Sequence, residues 1–278
     1  MTSLITISAL GFFLGMRHAT DPDHVIAITT IVARQRSIRS AAVIGAVWGI
    51  GHTLTILAVG GAIILFTWVI PPRVGLSMEL AVGLMLIILG IMNLWGVTQA
   101  VRATRGVQAV TPQQAPHEHG AEHVHVHAHS HGDYVHTHAH GHSPETHPHA
   151  PDQTPLARLD RRLGGVRLYQ LVRPLVVGIV HGLAGSAALA LLVVTTIGSS
   201  AWSLLYLLVF GVGTVVGMML ITAAIGIPFA ATGKHSLQLN TGLRVASGLI
   251  SLAFGLLLAY QIGFGSGLFT GNPQWSPR

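Results

Sequence analysis

Apolar residues run along this chain in long blocks, and polar residues gather in short clusters between them. Neither the two-residue alternation of a half-buried strand nor a narrow amphipathic stripe dominates. Six blocks read as membrane-spanning helices, at about 4–31, 41–70, 76–99, 170–197, 201–228 and 241–263, each long enough for the roughly 20 residues that a bilayer demands. The polar breaks carry the basic residues unevenly. Arg34, Arg36 and Arg39 fill the first, Arg102, Arg105, Arg158, Arg161, Arg162 and Arg167 the third, and Lys234 the fifth, close to Arg244. Basic loops stay in the cytoplasm. The expected topology is therefore a multi-pass plasma (inner) membrane protein with both termini outside and the long third break inside.

The blocks also repeat. Trp48-Gly49-Ile50-Gly51 matches Phe210-Gly211-Val212-Gly213. Gly15-Met16-Arg17-His18 matches Gly178-Ile179-Val180-His181, and Gly83-Leu84 with Gly90 matches Gly248-Leu249 with Gly255. All three pairs lie roughly 163 residues apart, and agreement among independent segments is the mark of an internal repeat. Three spans per half is an odd number, so the halves face opposite ways across the membrane. The expected fold is an all-α integral membrane protein, six transmembrane helices as a 3+3 inverted repeat, with a long disordered His-rich loop between the halves. The first repeat covers 1–100, the loop 101–168, the second repeat 169–265 and a short C-terminal tail 266–278. Small-residue pairs such as Gly11/Gly15, Gly45/Gly49, Gly178/Gly182 and Gly213/Gly217 mark close helix contacts.

Composition narrows the function. Half of the 278 residues are hydrophobic, 9% are charged, and there is no cysteine; the mean hydropathy is +0.60. Thiolate metal sites and disulfides are excluded. The net charge of +6 sits in orienting loops and does not point to nucleic acid. The first block lacks a basic leader and is too long for a signal peptide.

That first block holds the anomaly. Arg17, His18, Asp21, Asp23 and His24 interrupt an otherwise apolar segment, where each charge costs on the order of 2.5–3.5 kcal/mol on insertion scales. Such a cluster persists only if its members neutralise one another or a bound cation. Pro22 has no N–H for the carbonyl of His18, so the helix should kink or break there. On an unbroken helix His24 would sit about 240° round from His18, so only a break lets both reach one ion. His52 and His181 each fall near the middle of their spans. Imidazole with carboxylate suits Ni, Co, Zn, Cu or Fe better than Mg or Ca. The candidate metal ligands are His18, Asp21, Asp23, His24, His52 and His181. Thirteen of the eighteen histidines lie between His117 and His149. His123, His125, His127, His129, His131, His136, His138, His140 and His142 are read as a loop metal buffer without a packed core.

The segment Arg17-His18-Ala19-Thr20-Asp21-Pro22-Asp23-His24 fits the H-x4-D-H signature and resembles the nickel/cobalt transporter family. Gly51-His52-Thr53 resembles that family's second-span His motif. His181-Gly182-Leu183-Ala184-Gly185-Ser186 resembles the matching segment of its short six-span branch, the urease-associated nickel permeases. The resemblance implies transition-metal permeation with His18, Asp23 and His24 essential. Eight-span members carry an acidic motif where this chain has Ala184-Gly185-Ser186, and the His-rich loop resembles the nickel and cobalt efflux branch. The expected function is a secondary carrier for Ni²⁺, with Co²⁺ as a second cargo, in the uptake direction. Enzymatic activity is not expected: no H-E-x-x-H marks an intramembrane metallohydrolase, and the absence of G-x4-G-K-[ST] speaks against direct ATP drive. No tightly bound cofactor is expected, and hand-over to cytoplasmic metallochaperones is. The alternatives are an exporter of the same ions and, in another class, a membrane haem protein using His18, His52 or His181.

Overall fold

The computed structural model describes residues 2–33, 35, 37–66, 70–108, 125–131, 134–140, 171–184, 199–235 and 237–275. Its helices are α1 (Thr2–His18), α2 (Pro22–Val32), α3 (Ile38–Phe66), α4 (Pro72–Gln108), α5 (Leu171–Ala184), α6 (Ser200–His235) and α7 (Leu237–Tyr260). A π-helical turn, Gln261–Gly265, extends α7. Residues 1–93 and 171–278 form one compact unit, and residues 94–170 form a second.

Four helices are long and apolar enough to cross a membrane: Ile38–Phe66, Pro72–Thr98, Ser200–Thr232 and Gln238–Gly265. The block expected at 4–31 is two helices, α1 and α2, parted at residues 19–21. The block expected at 170–197 is helical over Leu171–Ala184, and its remainder lies outside the described residues. α4 continues to Gln108, past the expected end of the third block and into the expected loop. The sequence supplies no Gly-Pro stop until Pro112, so the helix has no local reason to end at the apolar boundary.

In the first unit, helix faces are sorted inside out relative to a water-soluble bundle. Leu10, Phe13, Ile50, Leu54, Ile88, Ile91, Leu208, Leu220, Leu249 and Leu256 are exposed. Histidines, threonines, serines and an asparagine are buried among the helices. A helix that is apolar all round, as α3 and α6 are, needs no polar outer face where its surroundings are hydrocarbon. Buried hydroxyls turn to backbone carbonyls: Thr214 donates to Phe210 O at 3.0 Å, Ser251 to Leu86 O at 2.8 Å and Thr55 to Ile179 O at 3.0 Å. One core gathers Ala27, Ile28, Val32, Ala41, Trp48, Leu86 and Met218. Another joins Ile56, Ile64, Leu207 and Phe210.

Glycines set how near α1, α3 and α5 come to their neighbours. A Cβ on Gly15 would strike the Phe210 carbonyl of α6, and one on Gly178 would strike the Trp48 carbonyl of α3. The C-terminal tail, given no role by its composition, folds back on α4. Trp275 Nε1 donates to Glu79 Oε1 at 2.9 Å, and its ring fills the space above Gly75. Gly267 makes the turn into that tail with φ 79°, a backbone that favours glycine.

In the second unit, most of the expected loop lies outside the described residues. β1 (His125–His131) and β2 (Tyr134–His140) pair as an antiparallel two-stranded sheet. Histidine alternates there with Val, Ala, Ser and Thr, a period of two that suits a strand, and Gly132-Asp133 between the runs is a hairpin sequence signal. His123 and His142 lie outside the described residues.

Close packing gives a stability test. Gly15→Val should overpack the α1–α6 contact by about 1–3 kcal/mol and lower the unfolding temperature in detergent. Gly61→Ala should be silent, because the nearest atom to its new Cβ is Leu204 Cδ2 at 3.8 Å.

Candidate metal centre

The site starts from the backbone break. Pro22 cannot donate to His18, and residue 21, preceding a proline, is pushed towards extended geometry. Asp21 has φ −60° and ψ 143°, Pro22 opens α2, and the orphaned His18 carbonyl accepts instead from Asp21 N–H at 3.1 Å. Thr20 N–H bonds Arg17 O at 2.8 Å, so α1 closes in a tightened turn. Asp21 occupies the N-cap position of α2 without capping it. Its carboxylate is engaged by His18 Nδ1 at 2.7 Å. The far end of α2 is fastened too. Arg244 Nε donates to Ala33 O at 3.0 Å, and Asn93 Nδ2 donates to Ser247 Oγ at 2.9 Å and Arg244 O at 3.0 Å.

The break brings His18 and His24 together, with ring centroids 4.6 Å apart. α3 contributes His52 and α5 contributes His181. Two groups of three donors result: His18, His24 and His52, and Asp23, His24 and His181, each with ligand atoms within 4.8 Å of one another. His24 belongs to both. His18 Nε2 and His52 Nε2 lie 3.1 Å apart. Asp23 spans two helices, with His24 Nδ1 at 3.0 Å from Oδ1 and His181 Nε2 at 3.0 Å from Oδ2. His24, His52 and His181 are buried, at 3%, 1% and 1% exposure. The side chain of Asp23 is 28% exposed and that of His18 15%.

Hydrogen bonding sets the tautomers. His18 Nδ1–H donates to Asp21, so its Nε2 carries the lone pair and accepts from His52 Nε2–H. His24 Nδ1–H donates to Asp23. Among the described residues, His24 Nε2, His52 Nδ1 and His181 Nδ1 are buried with no hydrogen-bond partner. An unpaired buried nitrogen costs on the order of 1–3 kcal/mol, so three of them in neighbouring rings call for an explanation.

Of the six expected ligands, His18, Asp23, His24, His52 and His181 come together. The carboxylate of Asp21 pairs with His18 and is not part of either triad, and its side chain is 48% exposed. It orients that ring as a carboxylate behind a ligating histidine does. Arg17 is exposed and, among the described residues, pairs with neither Asp21 nor Asp23. Two neighbours were not anticipated. The Trp48 ring lies 5.4 Å from both His24 and His181, and Phe210 lies 5.6 Å from His18. Trp48 stands one helical turn before His52, which was the available signal.

Comparison with known proteins speaks to the same chain. The family described as high-affinity nickel-transport protein matches residues 4–153. This chain belongs to that family. The urease accessory protein UreH of Bacillus sp. (strain TB-90) is 34% identical over 266 residues, covering 96% of each chain. No solved structure matches. The chain is thus a nickel/cobalt membrane transporter and not an enzyme, with the metal ion as its substrate.

Within this nickel-transport chain the two aspartates should separate. Asp23→Ala should remove high-affinity Ni²⁺ binding at the buried cluster. Asp21→Asn should weaken it about 10–100-fold, the usual cost of losing an orienting partner. Calorimetric titration of both variants, with the hairpin histidines replaced by alanine, reads the difference.

Proposed function

We propose that the chain is a secondary carrier that brings Ni²⁺, and Co²⁺ as a second cargo, into the cytoplasm through the buried His/Asp cluster. The observation that carries this reading is the pair of donor triads sharing His24, enclosed by apolar helices. Imidazoles joined by a carboxylate are a donor set that suits Ni²⁺ better than Mg²⁺ or Ca²⁺. His18 and Asp23, the least covered members, form the side from which an ion enters. Two donor triads that share His24 give no support to haem, whose axial imidazoles stand on opposite faces of a wide ring.

The carrier is read as six spans in a 3+3 inverted repeat. Contacts that exchange under the repeat support this. Gly15 meets Phe210 and Gly178 meets Trp48; Gly213 meets Phe12 and Gly51 meets Leu175; Gly83 meets Gly255 and Gly90 meets Gly248. Swapping the matched segments turns each contact into its partner, as in a self-complementary interface. The distribution of basic residues puts both termini outside and residues 101–168 in the cytoplasm. Uptake is favoured by the urease accessory description of the relative, because a urease needs nickel delivered to the compartment where it is assembled. The His-rich segment would receive the ion and pass it to cytoplasmic metallochaperones.

Flux of ⁶³Ni, measured both into and out of cells, tests the reading. Expression should raise accumulation, and His18→Ala, Asp23→Ala and His24→Ala should each abolish the gain at unchanged membrane levels. Net loss of ⁶³Ni on expression would make the chain an exporter. Wild-type flux in all three variants would remove the site.

A further inference from the structure

Five buried polar side-chain atoms have no hydrogen-bond partner among the described residues: His24 Nε2, His52 Nδ1, His181 Nδ1, Trp48 Nε1 and Asn93 Oδ1. Asn93 belongs to the fastening of α4 to α7. The other four sit in neighbouring rings. Trp48 is 1% exposed, and its ring centroid lies 5.4 Å from that of His24 and 5.4 Å from that of His181. The indole differs in kind from the imidazoles around it. An unprotonated imidazole nitrogen offers a lone pair, whereas indole Nε1–H only donates. A bare cation can meet the first and never the second. A buried indole N–H ordinarily finds an acceptor, and going without one is unfavourable.

The surroundings narrow which acceptor Trp48 can meet. A Cβ on Gly178 would lie 2.9 Å from Trp48 Cδ1, the carbon bonded to Nε1. Gly178 precedes His181 by one turn of α5, so the polar edge of the indole lies on the side of the helix that carries His181. Asp23 already accepts three bonds, from His24 N–H and Nδ1–H at Oδ1 and from His181 Nε2–H at Oδ2. A lone pair of His24 or His181 given to Trp48 would be taken from the ion. The remaining source of an acceptor is the cargo. We propose that Trp48 is a specificity-determining residue that reads an oxygen carried by the ion: the metal occupies the cluster with one exchangeable, water-derived oxygen ligand, to which Nε1–H donates. This rests on the proposed role of the cluster as the transport site, and adds to it a contact that only a partly hydrated ion can use. An ion that keeps an oxygen beyond its protein ligands is thereby favoured over one whose four-coordinate shell the protein fills, the habit of structural Zn²⁺. Phenylalanine would supply the same apolar wall without the N–H.

The test uses the full-length chain in detergent, with the histidines of residues 117–149 replaced by alanine. It is loaded with one equivalent of Co²⁺, whose EPR signal broadens when an oxygen bound to it is ¹⁷O. Loss of the signal in His24→Ala assigns it to the cluster. With Trp48 in place, the spectrum in H₂¹⁷O should be broader than in ordinary water. Trp48→Phe should remove the broadening and weaken Ni²⁺ binding, measured by dialysis with the metal alone, by about 3–10-fold, the effect of one hydrogen bond. Benzothienylalanine incorporated at position 48 keeps the two-ring shape and carries sulfur in place of the N–H. It should reproduce both changes, and it decides the matter if Trp48→Phe fails to fold. A packing role alone predicts that this isostere behaves as tryptophan does, and that result would overturn the inference. So would Co²⁺ bound at the cluster without ¹⁷O broadening, which leaves the transport site standing. The absence of any Co²⁺ signal that His24→Ala removes would defeat the transport site itself, and the inference with it.

Discussion

The carboxylate of Asp23 is the constraint on which the rest of this structure depends. A carboxylate among apolar helices needs partners at once, and it finds one imidazole on its own helix and one on α5. Meeting both requires α2 to begin beside it, which requires the chain to leave the helix at Ala19 and re-enter at Pro22. The close approaches at Gly15, Gly51 and Gly178 then allow α1, α3 and α5 to bring His18, His52 and His181 to the same place. Arg244 and Asn93 hold the other end of the short helix, so that its first turn has a fixed position. Backbone break, small residues and polar fasteners serve a single geometry.

That geometry is unfilled chemistry. Three imidazole nitrogens are buried without hydrogen-bond partners among the described residues. His24 is central because it is shared between both triads. Asp21 stands outside them, and its role is to fix which nitrogen of His18 is free. Trp48 packs against His24 and His181 and Phe210 against His18, so the proposed site lies in a low-dielectric surround with Asp23 as its carboxylate.

Much of this could be read from residues, and the parts that could not have physical reasons. The break was legible because proline and charge inside an apolar run are local signals. Convergence of His52 and His181 was legible through the internal match of segments near Gly51 and Gly178. The separate duties of Asp21 and Asp23 were not, since two carboxylates two residues apart look alike until the backbone between them turns. Trp48 was hidden because an aromatic residue in a membrane helix is usually packing. The end of α4 was misjudged because apolar length marks where a membrane ends, not where a helix does.

X-ray absorption at the Ni K-edge of the purified chain tests the central claim most directly, with the histidines of residues 117–149 replaced by alanine and one equivalent of Ni²⁺ added. The account predicts a first shell of nitrogen and oxygen near about 2 Å with outer-shell scattering from several imidazoles, and the loss of that imidazole signal in His24→Ala. An ion surrounded only by oxygen, with a spectrum unchanged by His24→Ala, would contradict it.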